Sequence, residues 1–279
     1  MTPDPNDRVF VDFERKRPTE DADIAEIVRA LLTLQARTAA EQKRPLARGS
    51  HAKGIAVRAE FEVFDVQRRE HDTALAARLA RGIFAKPGIY PAVVRFANAP
   101  GTMFPDSKAD VRALSFFIEV PPGVLGSEAT RLDYSMNSAT TFPMNDAHAF
   151  AVFERIRTPT GSWGVAKALF SMPLRDQWIC VKTAFLALGQ GRRVPRLPYQ
   201  QLRYWSNVPF RHGTDAAVKY CTTPDTTNPA HALQDGPNCL QDELTRHVNE
   251  DERMSAFDFA LQFLDAERNY LTNQRLFDE

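Results

Sequence analysis

The feature that most constrains the fold is a series of four strand-like stretches between residues 54 and 136. Residues 54–65, GIAVRAEFEVFD, alternate polar and apolar side chains, which is the period-two pattern of a half-buried strand. Three further stretches follow at 90–97, 113–120 and 132–136, and segments rich in Pro and Gly separate them. Strands that follow one another this closely predict an antiparallel sheet or half of a barrel.

The rest of the chain reads mainly as helix. Residues 19–41 place apolar side chains at helical spacing behind an acidic first turn, and residues 145–190 and 241–249 also read as helical. Strand signals or apolar stretches return at 201–205, 216–221 and 257–264.

Together these patterns predict an α+β fold. Its centre would be an antiparallel, barrel-like sheet, with an N-terminal arm and helix over residues 1–45 and further helices packed outside the sheet. Residues 46–279 would form the core domain. No internal repeat or low-complexity tract divides the chain further.

The charge balance argues against several classes of function. The 35 Lys and Arg residues equal the 35 Asp and Glu residues, which excludes a general electrostatic nucleic-acid binder and gives no support to a binder of anionic membranes. The three cysteines form no CxxC pair and predict reduced thiols. No apolar run reaches the roughly 18 residues of a membrane span, and the first residues lack a signal-peptide pattern. We therefore expect a cytoplasmic protein whose partners include neither nucleic acid nor a membrane.

The common catalytic and metal motifs are absent from the sequence. None of the six histidines belongs to an HExxH pair, and there is no P-loop, no GxGxxG after a strand and no GxSxG elbow. These absences exclude the commonest nucleotide, zinc-hydrolase and serine-hydrolase sites.

One region does suggest a site. Residues 48–54, RGSHAKG, place Arg48 and His51 just before the first strand, and Arg95 lies inside an otherwise apolar strand. A buried guanidinium is costly unless an anion pairs with it. Taken alone, a salt bridge from Arg95 to a carboxylate and a structural role for His51 are the simpler interpretations.

Taken together, several short stretches resemble the motifs of the catalase family, and most closely those of the small bacterial catalase-related haem proteins. They occur in the same linear order as in that family and cover about residues 48–150. They are RGSHAKG (48–54), VRF (94–96), DVRALSFF (110–117), LDYSMN (132–137) and DAHAF (146–150).

The resemblance implies a role for each matching residue. His51 would be the distal group that takes a proton from one peroxide oxygen and returns it to the other, and Asn137 would orient the peroxide. Arg48 and Arg95 would bind the propionates of a haem b cofactor. Phe150 would stack on the porphyrin, and Phe142 would line the pocket. The implied substrate is hydrogen peroxide or a small organic hydroperoxide.

The sequence departs from the family on the proximal side of the haem. Catalases hold their iron with a tyrosine on a late helix, and none of the six tyrosines here lies in that motif. Only Tyr270 is late in the chain and flanked by arginines, so the metal ligand is left unassigned. The chain is predicted to end at about the third strand of the second half-barrel, which would leave the barrel open. An open edge is a site for association, so a homo-oligomer is a further expected partner.

A second departure is Ala97, which stands where the family usually has a serine that hydrogen-bonds the distal histidine. We therefore expect slower consumption of hydrogen peroxide than in large catalases, and more peroxidase-like use of organic hydroperoxides. Two alternatives to this haem-dependent enzyme remain open. One is a degenerate or truncated catalase-fold protein without activity, and the other is a haem enzyme that rearranges hydroperoxides.

Overall fold

The computed structural model describes residues 16–264, apart from residues 44, 46–47, 102, 126–127, 215, 229–231 and 251–253. The described residues form one sheet with helices around it. The strands are β1 (Gly54–Val63), β2 (Gly88–Asn98), β3 (Arg112–Glu119), β4 (Arg131–Asn137), β5 (Tyr204–Ser206), β6 (Phe210–His212), β7 (Ala216–Pro224) and β8 (Phe257–Phe263). The helices are α1 (Glu20–Glu41), α2 (Val66–Arg69), α3 (Thr73–Leu79), α4 (Ala147–Arg157), α5 (Gly161–Phe170), α6 (Leu174–Arg193) and α7 (Cys239–Thr245).

The sheet is antiparallel throughout and follows the order β1-β2-β3-β4-β5-β7-β6, with β8 paired to β7. In β7, Val218 pairs with Phe210 of β6 and with Phe263 of β8, and Thr222 pairs with Tyr204 of β5. β8 pairs with β7 from Val218 to Pro224 and so takes one edge of β7. β5 and β6 both pair with the other edge of β7, one after the other, and together they occupy one strand position. Among the described residues, three strand positions therefore follow β4.

The two faces of the sheet have different compositions. Gly54, Ala97, Ala113 and Asn137 are register partners across β1 to β4, so they lie on one face, which we call the outer face. Residues one position away along each strand lie on the inner face, which carries the large side chains of the hydrophobic core. The aromatic residues of this inner face are Phe61, Tyr90, Phe96, Phe116, Tyr134, Tyr204, Phe210, Tyr220, Phe257, Phe259 and Phe263.

The sheet curls until its first and last strands face each other. The ring of Phe259 in β8 lies 5.2 Å from that of Phe61 in β1 and also contacts Phe116 and Tyr134. Among the described residues, however, β8 and β1 form no backbone pairing. The inner face is thus filled by aromatic packing while the barrel stays open, which confirms the predicted open, antiparallel, barrel-like sheet with peripheral helices.

The helices agree with the sequence prediction at the N-terminus and differ from it in the middle of the chain. The predicted helix at 19–41 is α1, Glu20–Glu41. The stretch 145–190, predicted as one helical region, is three helices, because Gly161 has a left-handed φ of 71° at the start of α5 and Pro173 caps α6. No helix among the described residues is long and apolar enough to cross a membrane.

A buried polar cluster fixes the start of β1 against the loop before β3. Lys53 Nζ lies 2.6 Å from the carboxylate of Asp106, and both side chains are almost fully buried. Asp106 also accepts from Asn98 and from the backbone N–H of Leu240. Arg112 in turn donates to Asn98. These bonds hold the segment that carries His51 in a defined position.

Candidate functional site

His51 lies where the chain enters β1, wedged between α1 and the loop after β2. Its backbone N–H donates to the carbonyl of Ala99 at 3.0 Å, which continues the β1–β2 ladder beyond the strand. The residue has a φ of 53°, in the left-handed region that non-glycine residues seldom adopt. A Cβ on Gly49 would lie 2.6 Å from the carbonyl oxygen of Leu31 in α1, so only glycine allows this close approach. The backbone around His51 is therefore tightly constrained.

Three guanidinium groups surround the imidazole of His51. Burial is the largest cause that lowers the pKa of His51, and the positive charges of Arg95, Arg157 and Arg48 lower it further, from 6.5 to about 4. The imidazole is therefore neutral at pH 7. A neutral imidazole has one acceptor nitrogen, so the ring can take up a proton.

Arg95 lies on the outer face of β2, partly buried, and donates from Nη2 to the carbonyl oxygen of His51 at 2.7 Å. Burial and the neighbouring Arg48 lower the pKa of Arg95. No carboxylate forms an ion pair with Arg95 or Arg48 in the part of the chain that the structure describes. Among these residues the salt bridge that Arg95 alone would suggest is not formed, and the role of Arg95 in binding a propionate stays a prediction. The two guanidinium groups present positive charge that an anionic ligand can neutralise.

Arg157, at the end of α4, is a neighbour of His51 that the sequence analysis did not identify. It forms an ion pair with Glu154, a fully buried carboxylate whose other oxygen, Oε2, has no hydrogen-bond partner among the described residues. Burial raises the pKa of Glu154, and Arg157 opposes that shift. No motif marks Arg157, because it reaches His51 from a helix about a hundred residues later in the chain.

Asn137 ends β4 on the outer face, in the same register row as Gly54. It lies three strands away from Gly54, which is about 14 Å along the sheet. The side chains between them are those of Ala97 and Ala113. One N–H of the Asn137 amide donates to Asn207 Oδ1 at 2.6 Å, and its oxygen accepts from the backbone of Ala139 at 2.8 Å. The amide is thus held in one orientation, and its second N–H is available to a ligand.

The predicted aromatic pair lies beyond the end of β4. The rings of Phe142 and Phe150 pack edge to face with centroids 5.9 Å apart. Phe150 is in the first turn of α4, and both side chains are partly exposed. The structure therefore brings these two residues together, as it does Arg48, His51 and Arg95. Contacts that would join the two groups are absent among the described residues.

The described tyrosines do not offer an iron ligand. Tyr134, Tyr204 and Tyr220 point into the core from the inner face, and burial raises the pKa of each. Tyr199 is fully buried, its pKa is raised by burial, and its hydroxyl donates to Asn98. Phenols packed inside the core in this way leave no room for a haem beside them. The remaining sequence candidate, Tyr270, lies outside the described residues.

The residues that resemble the distal motif, Arg48, His51 and Arg95, therefore fit a haem better than the described tyrosines fit its iron. Two guanidinium groups that have no carboxylate partner among the described residues fit a pair of propionates, and a mostly buried, neutral imidazole fits a proton acceptor. No cluster of three or more His, Cys, Asp or Glu side chains among the described residues could bind a bare metal ion.

Comparison with known proteins gives matches at the level of structure. No protein-family model and no curated protein matches the sequence. Catalase A from Saccharomyces cerevisiae matches with a TM-score of 0.55 at 12% identity, over 83% of this chain and 47% of that one. A bacterial catalase matches with a TM-score of 0.57 at 14% identity, over 98% and 51% of the two chains. A fungal catalase matches with a TM-score of 0.55 at 12% identity, over 83% and 46%.

The chain thus spans about half the length of the solved structures it matches. At such low identity the likeness concerns the arrangement of the backbone, and site residues do not transfer with it. On this evidence the chain has a catalase-like fold.

Proposed function

We propose that this protein binds haem b and consumes peroxides, with His51 as the group that moves the proton. The observation that carries the proposal is the setting of His51: a mostly buried imidazole, neutral at pH 7, among three guanidinium groups at the end of a catalase-like sheet. Of the residues that resemble the catalase motifs, Arg48, His51 and Arg95 are neighbours here, while the roles of Asn137, Phe142 and Phe150 rest on the resemblance. The proposal concerns hydrogen peroxide and small organic hydroperoxides.

Arg48 and Arg95 would hold the haem propionates. Arg95 is partly buried and donates to a backbone carbonyl, and among the described residues no carboxylate accepts from its five N–H donors. A propionate would complete those bonds and neutralise the like charges of the two arginines. Phe150 and Phe142 would contact the porphyrin from the other side of the site. This aromatic role rests on the sequence resemblance.

Bound haem would supply an iron centre that binds the peroxide and provides the two electrons that break its O–O bond, and it would regain them from a second peroxide or another reductant. The protein's part is the transfer of one proton. The neutral His51 imidazole would take a proton from one peroxide oxygen and give it to the other, which would then leave as water. With hydrogen peroxide as both oxidant and reductant, two molecules yield two water molecules and one oxygen molecule.

Asn137 would orient the peroxide through the second N–H of its amide. Asn207 fixes the amide by accepting the first N–H, so the orientation costs little on substrate binding. Ala97 offers His51 no hydroxyl, which supports slow turnover of hydrogen peroxide and readier use of organic hydroperoxides. The iron ligand would have to come from Tyr270 or from another part of the protein.

The test begins with the absorption spectrum of the purified protein after titration with haem. A Soret band that saturates at one haem per chain is expected, and Arg95→Leu is expected to weaken haem binding about tenfold to a hundredfold, because a charge-assisted bond is lost. Tyr270→Phe is expected to change the ferric spectrum. A protein that stays colourless at all haem concentrations would overturn the proposal.

Peroxide consumption by the haem-loaded protein tests the role of His51. His51→Asn is expected to lower the rate about a hundredfold or more while the Soret band remains, because a general acid–base group is removed. Asparagine tolerates the left-handed backbone at this position, so the substitution leaves the loop intact. The exposed His71→Asn is the control and is expected to keep the full rate. Equal rates for the two variants would refute His51 as the proton carrier.

The second candidate is a catalase-fold protein without peroxidase or catalase activity. It is favoured by the four core tyrosines with raised pKa values, none of which is suited to ligate iron. In that case the haem titration gives no Soret band, or gives a band without peroxide turnover. A haem-loaded protein that isomerises an organic hydroperoxide without consuming reductant would instead indicate a rearranging enzyme.

A further inference from the structure

Helix α6 carries a continuous apolar stripe that faces solvent. Leu174, Trp178, Val181, Phe185 and Leu188 follow one another at alternating spacings of four and three residues, which places them on one face of the helix. Their exposed fractions lie between 51% and 82%. Large apolar side chains in this number are rarely left in water without a reason.

The preceding helix extends this apolar surface. In α5, Trp163 and Phe170 are 81% and 74% exposed, and Lys167 lies between them on the same face. Only residues 171–173 separate the two helices. We call the exposed side chains of α5 and the stripe of α6 the hairpin surface. It contains two of the three tryptophans of the chain.

The hairpin surface is not an unfinished part of the core. The other side of α6 is buried, through Asp176, Cys180 and Thr183, and packs on α4. Asp176 contacts His148 and Arg155 of α4, so its carboxylate is paired within the protein and is not part of the exposed surface. The helix therefore already has its partner, and the stripe is additional to what the fold requires.

The charges of this segment are of one sign. Residues 161–193 contain five basic side chains, all exposed, and one acidic side chain, the buried Asp176. The basic residues are Lys167, Arg175, Lys182, Arg192 and Arg193. Zero net charge for the whole chain hides this asymmetry, because the acidic residues that balance these lie elsewhere. The exposed part of the hairpin is thus aromatic, aliphatic and cationic.

The positive charge and the aromatic composition distinguish between two occupants of the hairpin surface, a second copy of the chain and a lipid bilayer. A second copy of the chain would bring its own cluster of cations against this one, and like charges across an interface are unfavourable. A bilayer surface with anionic lipids offers negative charge for the basic residues and an apolar layer for the aromatic ones. Trp, Phe and Leu beside Lys and Arg on an amphipathic helix are the composition of helices that lie in the membrane interface.

We propose that α5 and α6 form a docking surface for anionic lipid bilayers, on which the protein lies without spanning the membrane. Trp163, Trp178 and Phe185 enter the interface, and Lys167 and Lys182 contact lipid phosphates. The proposal does not depend on haem or on peroxide chemistry. It would bring the protein close to lipids, and its test needs no activity measurement.

Vesicle co-sedimentation of the full chain tests the proposal. One set of vesicles is pure phosphatidylcholine, and the other contains one quarter phosphatidylglycerol. Binding is expected to the anionic vesicles at low salt, to weaken as salt screens the charges, and to be weak on neutral vesicles. Brominated lipids in the anionic vesicles are expected to quench tryptophan fluorescence, since Trp163 and Trp178 would lie in the interface.

Matched variants test whether vesicle binding depends on the hairpin surface or is non-specific. Phe185→Ser is expected to weaken binding about tenfold or more, because a buried aromatic contact with the bilayer is lost. Leu32→Ser is its control, since Leu32 is 58% exposed on α1. Lys182→Glu is expected to weaken binding about tenfold or more, and its control is Lys86→Glu at an exposed position outside the hairpin. Both controls are expected to bind like the wild type.

Several outcomes would overturn the proposal. They are absence of binding at low salt, equal binding to neutral and anionic vesicles, and control variants that lose as much affinity as their partners. Analytical ultracentrifugation addresses the second copy. A dimer that Phe185→Ser converts to a monomer would assign the hairpin surface to self-association instead.

Discussion

Replacement of His51 by asparagine should change how the stability of the protein depends on pH. In the folded protein, burial and the charges of Arg95, Arg157 and Arg48 hold the pKa of His51 at about 4, whereas its ordinary value is 6.5. The unfolded chain therefore binds a proton at His51 well before the folded chain does as the pH falls. Protonation of the unfolded state then lowers the free energy of unfolding.

The size of this effect follows from the two pKa values. A difference of about 2.5 pH units at about 1.4 kcal/mol per unit corresponds to roughly 3 kcal/mol. Above pH 6.5 both states carry a neutral imidazole at this position and His51 imposes no pH-dependent cost. Between pH 6.5 and pH 4 the loss accumulates, and it is complete below pH 4. His51→Asn has no such group and should escape this part of the acid destabilisation.

Urea unfolding of wild type and His51→Asn between pH 7.5 and pH 4 measures the effect. Other groups titrate in both proteins and cancel in the difference between the two stability curves. That difference should move in favour of His51→Asn by about 3 kcal/mol over this range. Arg95→Leu should reduce the wild-type loss, since one of the like charges that lower the His51 pKa is gone. Parallel curves for wild type and His51→Asn would show that the imidazole is not held neutral, and the proton-acceptor argument would fail.

Two further predictions concern the frame that holds the site. Asp106→Asn should lower the free energy of unfolding, measured in urea, by about 3–5 kcal/mol because Lys53 is left buried without its counter-charge. Asp235→Asn, in an exposed ion pair, should lower it by less than about 1 kcal/mol. Similar losses for the two variants would refute the argument from burial. Gly54→Ala should lower the stability by about 2 kcal/mol, because the new Cβ would lie 2.4 Å from the carbonyl oxygen of Phe96. The loss is measured as a lower melting temperature, and an unchanged melting temperature would contradict that packing.

The fold could be predicted in the regions where the pattern is long and strictly periodic. Residues 54–65 alternate over their whole length and form β1, and the spacing in residues 20–41 gives α1. Residues 145–190 do form helices as predicted, but the prediction did not place the breaks before Gly161 and at Pro173 that divide the stretch into three helices. In β8, Phe257, Phe259, Leu261 and Phe263 alternate with smaller or polar residues, but a run of seven residues is a weak strand signal.

The site could be predicted only where neighbours in space are also marked in sequence. Arg48 and His51 are three residues apart, and Arg95 lies on the strand that pairs with β1, so sequence reasoning brings them together. Arg157 and Asn207 reach the site residues from distant parts of the chain and carry no motif. The cationic hairpin surface was hidden for a different reason, because a net charge of zero averages over the whole sequence.

Side chains alternate between the two faces along each strand, which explains why the tyrosines of the sheet cannot reach the outer face that carries the site residues. Asn137 and Tyr134 are three residues apart on β4 and therefore lie on opposite faces, Asn137 towards the site and Tyr134 towards the core. The same holds for Tyr204 and Tyr220 relative to the residues that share the row of Asn137. Moving any of them to the outer face would require a one-residue slip that exposes every core side chain of its strand. If this protein binds haem through a tyrosine, as proposed, that tyrosine would have to lie outside these strands, and the spectrum of Tyr270→Phe tests the candidate that the sequence offers.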